Sequence, residues 1–323
     1  IEHGAKLPDS LEYQGIEVDN VNRALGKIDK QMLQSGLPPL TVDGILALHS
    51  DILQGLESPP DREPGSFRQH RVGVGSYPAP PAADVAPLMA ELTNWLQSLT
   101  NIPETSDRVD RFTSALLAAV IAHLYIAWIH PFGDGNGRTA RLVEVYILAR
   151  NGCVPIVSTN ILSDFYNKTR ARYYERLEHA SRLQSPYEFI DYAIAGFVDE
   201  LRDQVRAVKA HNLQLAWESY IQEVFSRQPS TEAAARQGRL ALALPATRWI
   251  SKSEAIDLTP DTTRAYAILG PRTPARDLNH LVQLGLAHKN ASTGKYRSAA
   301  NRMQAFIPPV AVDEQEAELN LLD

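Results

Sequence analysis

A single cysteine, Cys153, stands in a chain of 323 residues. One thiol cannot close an internal disulfide, so nothing points to an oxidising compartment. Its apolar setting, Gly152-Cys153-Val154-Pro155, is expected to bury it as a small hydrophobe rather than present it as a nucleophile. No apolar run is expected to be long enough to cross a membrane; the most apolar, Leu116 to Ile129, is interrupted by His123 and reads as a buried core helix. A basic-then-apolar leader is also missing from the first residues, so the expected location is cytoplasmic. No internal repeat is visible. Positive charge is not in excess: 32 Lys and Arg against 38 Asp and Glu give a net charge of −6. That balance argues against nucleic-acid binding by the chain as a whole. What remains is an ordinary globular composition, 44% hydrophobic and 22% charged, enough for a sizeable core and two domains.

Hydrophobic periodicity gives a mainly α chain. Residues 1–45 read as an N-terminal helical segment with a boundary at Gly36-Leu37-Pro38-Pro39. Thr41 then caps a helix carrying Ile45, Leu46, Leu48, Ile52 and Leu53 on its apolar side. Residues 59–82 are rich in Pro and Gly, and the alternation in Phe67 to Gly75 predicts a short strand or hairpin. Nearly continuous helices follow: Val85 to Leu99, Val109 to Trp128, Arg138 to Arg150, Ile161 to Ala180 and Pro186 to Val208. The domain reading is 46–208 as the main helical domain, 209–230 as a connecting helix and 231–310 as a second domain. Between 231 and 308 there are eleven Lys and Arg against five Asp and Glu, about +6 inside an acidic chain. A helix from Pro274 to Leu286, followed by a Gly-turned ribbon to Arg297, predicts a winged helix-turn-helix. Its helix offers few base-reading side chains (Arg276, Asn279, His280), so protein contact is favoured over DNA binding. Residues 311–323 are an acidic tail.

The stretch that carries chemistry is His130-Pro131-Phe132-Gly133-Asp134-Gly135-Asn136-Gly137-Arg138-Thr139-Ala140-Arg141. An apolar helix delivers the chain to His130, Pro131 and the glycines force a loop, and a new helix starts near Asn136. Glycines let backbone N–H groups converge, and convergent N–H groups at a helix start bind anions, phosphate above all. Arg138 and Arg141, three apart, share a face and add planar donors for phosphate. Asp134 among phosphates is placed to hold Mg²⁺. His130 is the one group there able to accept a proton near neutral pH. Polyphosphate, metal and base together read as phosphoryl or nucleotidyl transfer.

The stretch resembles the Fic motif, His-x-Phe-x-(Asp/Glu)-Gly-Asn-Gly-Arg-x-x-Arg, at every defined position. The resemblance implies a Fic-type helical bundle with a small β-hairpin flap, followed here by the winged-helix region. It implies an adenylyltransferase that moves AMP from ATP to a protein hydroxyl, with His130 as base and Asp134 on Mg²⁺. Gly135, Asn136, Gly137, Arg138, Thr139, Ala140 and Arg141 would surround the phosphates. Gly73, Val74, Gly75 and Ser76 match the flap that covers the nucleotide and aligns the target by main-chain pairing. Tyr173 and Tyr174 match a pair bordering adenine, although Ser181 stands where the family often has Asn. The lead-in Ser10-x-x-x-Gln14-Gly15 resembles an inhibitory helix whose Glu pairs with the last motif Arg and disturbs the γ-phosphate. Gln14 in place of Glu implies weakened self-inhibition through a neutral bond to Arg141. The target is unknown, self-modification and homodimer formation are expectations by analogy, and UMP or phosphate transfer, or a DNA-binding regulator with a nucleotide-sensing domain, are the alternatives.

Overall fold

The structure is a computed structural model that describes residues 9–56, 63–74, 77–103, 105–152 and 158–306. It is mainly helical, and the chain divides into two compact units, Ile1–Asp203 and Gln204–Asp323.

The first unit begins with α1 (Asp9–Ser35) and α2 (Val42–Leu53). Thr41 caps α2 as its sequence position predicts, its hydroxyl accepting from Gly44 N–H at 3.1 Å. Asn20 of α1 donates to the carbonyls of Ile52 (3.1 Å) and Gln54 (2.7 Å), which satisfies the C-terminal end of α2 and fixes how α1 lies against it. A short antiparallel hairpin follows, β1 (Gly73–Val74) paired with β2 (Tyr77–Pro78) in the register Val74 to Tyr77. Then come α3 (Ala82–Thr100), α4 (Arg108–Ile129) and α5 (Asn136–Asn151). In α3 the buried Val85, Met89, Leu92 and Leu96 recur at helical spacing. α4 is buried nearly all round from Ala115 to Leu124, so it is the central helix of this core.

That centrality corrects the expectation about membrane length. α4 extends from Arg108 through Ile129, and its 22 residues, with a mean hydropathy of 1.9 in the most apolar window, are long and apolar enough to cross a membrane. Its apolar surface is used inside the protein, where 61% of that window is buried.

The expected single helix 161–180 is two, α6 (Ile161–Lys168) and α7 (Arg170–Leu183). The break falls at Thr169, whose hydroxyl bonds back to Phe165 O at 2.8 Å and meets Tyr192 OH at 2.5 Å. Such back-bonding competes with the helix ladder. The opposite difference holds downstream: the segments 186–208 and 209–230 form one 40-residue helix, α8 (Tyr187–Ser226), with no break between them. Leu213, Trp217 and Ile221 of its second half pack into the core of the second unit, so 209–230 is part of that core rather than a bare connector.

The second unit continues with α9 (Glu232–Ala243), α10 (Pro260–Tyr266) and α11 (Thr273–Gln283). The antiparallel pair β3 (Ala287–Lys289) and β4 (Tyr296–Ser298) and a final 3₁₀ helix (Ala300–Phe306) complete it. The loop between β3 and β4 turns on Asn290, whose side chain accepts from the N–H groups of Ser292 and Thr293, and on Gly294 at φ 66°. Cys153 lies outside the described residues, so its expected burial is not placed.

Candidate active site

α4 ends at His130 in the left-handed conformation, φ 48° and ψ 59°. For a non-glycine residue this costs about 1–3 kcal/mol and persists only where the surroundings hold it. They do: His130 N–H donates to Ile126 O at 2.9 Å, and His130 O accepts from Arg68 Nε at 2.7 Å. The imidazole is half-buried and its Nδ1 has no hydrogen-bond partner. Burial lowers its pKa below the ordinary histidine value; the Arg68 charge lowers it further, while the Ala127 backbone bond and Asp134 oppose this. Burial thus favours the uncharged ring.

The loop after His130 is held by its own side chains. Asn136 closes it, with Oδ1 accepting from Phe132 N–H (2.9 Å) and Nδ2 donating to Phe132 O (2.8 Å). The Asn136 side chain is thus committed to the loop, and what it can offer a phosphate is its backbone N–H. Gly135 sits at φ 76°, and a Cβ there would come within 3.1 Å of Ile52 and 3.5 Å of His49; both the backbone and the space call for glycine. Gly135 N–H donates to Asp134 Oδ1 at 2.6 Å, which leaves the next N–H groups, at the start of α5, without an intrahelical acceptor. They are the helix-start N–H groups on which the sequence expectation of anion binding rests. Asp134 is a single carboxylate, a third exposed and fixed in orientation by that bond. No cluster of three or more His, Cys, Asp and Glu side chains exists among the described residues. The donor set therefore fits Mg²⁺ of the kind carried mainly by phosphate and water oxygens, with one protein carboxylate.

Helical geometry divides the motif residues between two faces. Arg138 and Arg141 point outward; Thr139 and Ala140 are fully buried. Thr139 spends both its hydroxyl and its N–H on Gly135 O, each at 2.9 Å. The expectation that Thr139 and Ala140 touch nucleotide is corrected accordingly: they pack the inner face of α5. Arg138 ion-pairs with Glu17 Oε1 at 2.5 Å and lies 3.4 Å from Asp134 Oδ1. Arg141 Nε is buried without a hydrogen-bond partner. With Arg138 it lines a cavity of about 150 Å³ whose other walls include Asn22 of α1, Asn160 just before α6, and Ser163 and Asn167 of α6.

The α1 expectation also changes. Gln14 is exposed, and the contact from α1 to the motif is the ion pair of Glu17 with Arg138, in place of the expected neutral bond from Gln14 to Arg141. Asn20 marks the buried face of α1. Glu17, three residues before it, shares that face, while Gln14, six before it, lies about 120° around the helix. Gly15 is exposed, and the side chain of Ser10 lies outside the described residues. On the hairpin, Gly73 and Val74 are paired with Pro78 and Tyr77; Gly75 and Ser76 lie outside the described residues. The two tyrosines separate. Tyr173 is buried, with its OH 2.8 Å from His123 Nε2, and burial raises its pKa. Tyr174 is 53% exposed, with Arg170 over its ring. Ser181 bonds Leu177 O within its own helix.

Two residues escaped the sequence reading. His49 of α2 is buried and stacks on Phe132 at 3.7 Å, nearly parallel. Its Nε2 donates to Asp134 O (3.0 Å) and its Nδ1 accepts from Gly65 N–H (3.0 Å), which fixes the neutral tautomer. Burial accordingly lowers its pKa to about 4. Arg68, 2% exposed, bonds four carbonyl oxygens around the base of the hairpin and the end of α4. The one local signal for either was an ionisable residue inside an otherwise apolar or Gly-flanked stretch.

The stretch that holds the His130 loop is where the chain is similar to known proteins. The model of the Fic/DOC family matches residues 39–148. Protein adenylyltransferase fic-1 of Caenorhabditis briggsae is 28% identical over 209 residues, 65% of this chain and 37% of that protein. Protein adenylyltransferase Fic of Drosophila ananassae is 31% identical over 181 residues, 54% of this chain and 32% of that protein. Among solved structures, Fic-1 (residues 134–508) of Caenorhabditis elegans aligns over 65% of this chain and 56% of that one, with 24% identity and a TM-score of 0.49. The chain spans about a third of the length of the curated relatives it matches. Residues 39–148, which contain the His130 loop, the hairpin and both arginines, are the part of the chain that the Fic/DOC family model matches.

Proposed function

We propose that this chain transfers AMP from ATP to a Ser, Thr or Tyr hydroxyl of a protein, with self-modification as the first case to look for. The observation that carries the reading is the His130 ring, its buried Nδ1 unpartnered, at the head of the loop that leads to the open N–H groups of α5 and the two arginines. The N–H groups of Asn136 to Arg138, with Arg138 and Arg141, hold the phosphate chain. His130 takes the proton of the target hydroxyl as its oxygen bonds to the α-phosphorus. The bond from that phosphorus to the bridging oxygen breaks, and pyrophosphate leaves. Mg²⁺ on Asp134 would neutralise phosphate charge during this displacement. The β1–β2 hairpin lines up the target strand by main-chain pairing. Tyr174, the exposed member of the pair, is the better placed of the two to meet a base, because Tyr173 is engaged with His123.

Glu17 is the restraint on this site: it occupies Arg138, which ATP needs. In the second unit, α10, α11 and the β3–β4 pair are read as a winged helix-turn-helix that serves protein contact, including homodimer assembly. Asn279, one of the few base-reading side chains of α11, is occupied by Lys289 Nζ (3.1 Å) and Tyr296 OH (3.0 Å). A salt-dependent shift of duplex DNA would reverse that preference.

The test is incubation with Mg²⁺ and ATP labelled at the α- or γ-phosphate, with His130→Ala alongside. Protein labelling from the α position alone is expected, lowered about 10²- to 10⁴-fold in His130→Ala. Labelling from the γ position makes the chain a phosphate-transferring relative. Labelling from UTP in place of ATP makes it a UMP transferase. Nucleotide binding with no transfer, unchanged in His130→Ala, favours a regulator with a nucleotide-sensing domain.

A further inference from the structure

We infer that Arg68 is a positioning residue that carries the placement of the hairpin to His130. The inference rests on the reading that the hairpin aligns the target and His130 takes its proton. The geometry behind it is a single buried guanidinium with acceptors on both structures. Arg68 Nη1 donates to His70 O (2.7 Å), on the limb that enters β1, and Nη2 donates to Pro80 O (2.7 Å), on the limb that leaves β2. Its Nε donates to His130 O (2.7 Å), and Nη2 also meets Ile129 O at 3.2 Å. The main chain adds a further tie, Arg68 N–H to Pro131 O at 3.0 Å.

All the side-chain partners are carbonyls and none is a carboxylate. Two of them, Ile129 O and His130 O, belong to the last residue and the C-cap of the 22-residue α4, whose negative dipole end favours a cation. The planar fork of arginine matches acceptors spread over three segments; a lysine ammonium, a point donor on a flexible stem, cannot span them. His130 is left-handed, and its carbonyl is fixed by Arg68 while its N–H is fixed by Ile126. A hairpin displacement therefore acts, through one rigid side chain, on the backbone of the base. The charge faces the same ring: Arg68 and Asp134 are the ionised groups whose fields reach His130, with opposite signs.

The experiment compares Arg68→Lys and Arg68→Ala with the wild type by three readouts: folded fraction, amide exchange at residues 73, 74 and 77, and kcat and KM for ATP. Arg68→Lys is expected to fold, to exchange the hairpin amides faster, and to lose about 10- to 100-fold in kcat. Its KM for ATP is expected to stay within about 3-fold, since the phosphate contacts are elsewhere. Added guanidinium ion, below denaturing concentration, is expected to restore part of kcat in Arg68→Ala. Wild-type kcat and exchange in folded Arg68→Lys would overturn the inference, as would a loss that appears in KM for ATP alone or one no larger than the loss of folded protein. If Arg68→Ala does not fold, Arg68→Lys decides alone. Absence of label transfer by the wild-type protein defeats the functional reading, and the exchange measurement still decides whether Arg68 carries the hairpin.

Discussion

Two polar clusters in this molecule treat their hydrogen-bonding groups in opposite ways. In the second unit, Asp277 is fully buried and receives Arg236 Nε and Gln237 Nε2 at 2.8 Å and Tyr266 OH at 3.0 Å, while His280 Nδ1 meets Gln237 Oε1 at 3.0 Å. Each member has a partner inside the cluster. In the first unit, the loop after His130 holds itself together through Asn136, Asp134 and His49, yet leaves His130 Nδ1 and Arg141 Nε unpartnered and the first N–H groups of α5 open. Buried polar groups are ordinarily satisfied. A cluster that closes on itself has no group left to offer, whereas one with unpartnered groups has capacity for a ligand. The contrast is sharpest where one residue is removed. Asp277→Ala leaves the Arg236 charge buried and unpaired, so a loss of about 3–5 kcal/mol is expected, read as a lower unfolding midpoint in denaturant. Arg141→Gln in the same assay is expected to cost less than about 1 kcal/mol, since no partner loses a bond. A large loss from Arg141→Gln would break the comparison.

The local part of this organisation was legible in the sequence; the rest was not. Loop, helix start and paired arginines lie within twelve consecutive residues, where glycine conformation and helical spacing decide geometry. Thr41 was readable as a cap for the same reason. Helices 161–180 and 186–230 were mispartitioned because the break at Thr169 depends on a side-chain bond and on Tyr192, 23 residues away. The continuity of α8, likewise, depends on Trp217 and Ile221 having a second core to enter. His49 and Arg68 were invisible because their bonds reach Asp134, 85 residues along, and His130, 62 residues along. The motif's register does not tell which residue of α1 meets Arg138: that is set by which face is buried around Asn20, three positions after Glu17.

His49 sharpens the comparison from the side of the groups that are satisfied. Its folded pKa lies near 4, against about 6.5 unfolded. The unfolded chain binds the extra proton between those values, so this contribution to stability is complete above pH 6.5 and is lost as pH falls to about 4. At 1.36 kcal/mol per unit the loss amounts to roughly 3 kcal/mol. Thermal unfolding of the wild type across pH 4 to 7 should slope in that window, and His49→Asn should flatten it at lower overall stability. An unchanged slope in the variant would place the titration elsewhere. The acid limb of the transfer rate should also fall below pH 6.5, since burial holds the His130 ring neutral into the acid range.

The smallest expected effect on stability bears on which groups in the loop are truly open. Arg138 alone among the outward donors has a protein partner, Glu17, and both side chains are partly exposed, 18% and 28%. An ion pair so placed contributes about 0.2–1 kcal/mol, so Glu17→Gln should leave unfolding almost unchanged. The same energy, released from competition with ATP, corresponds to a rise of up to about 5-fold in initial transfer at subsaturating nucleotide. Gln14→Glu should do little, because Gln14 sits in solvent. The two variants separate the two accounts of α1: a rise in Glu17→Gln with no change in Gln14→Glu assigns the restraint to the buried face of the helix. A fall in Gln14→Glu with no change in Glu17→Gln would return it to the sequence motif, and would mean that α1 turns about its axis when nucleotide enters.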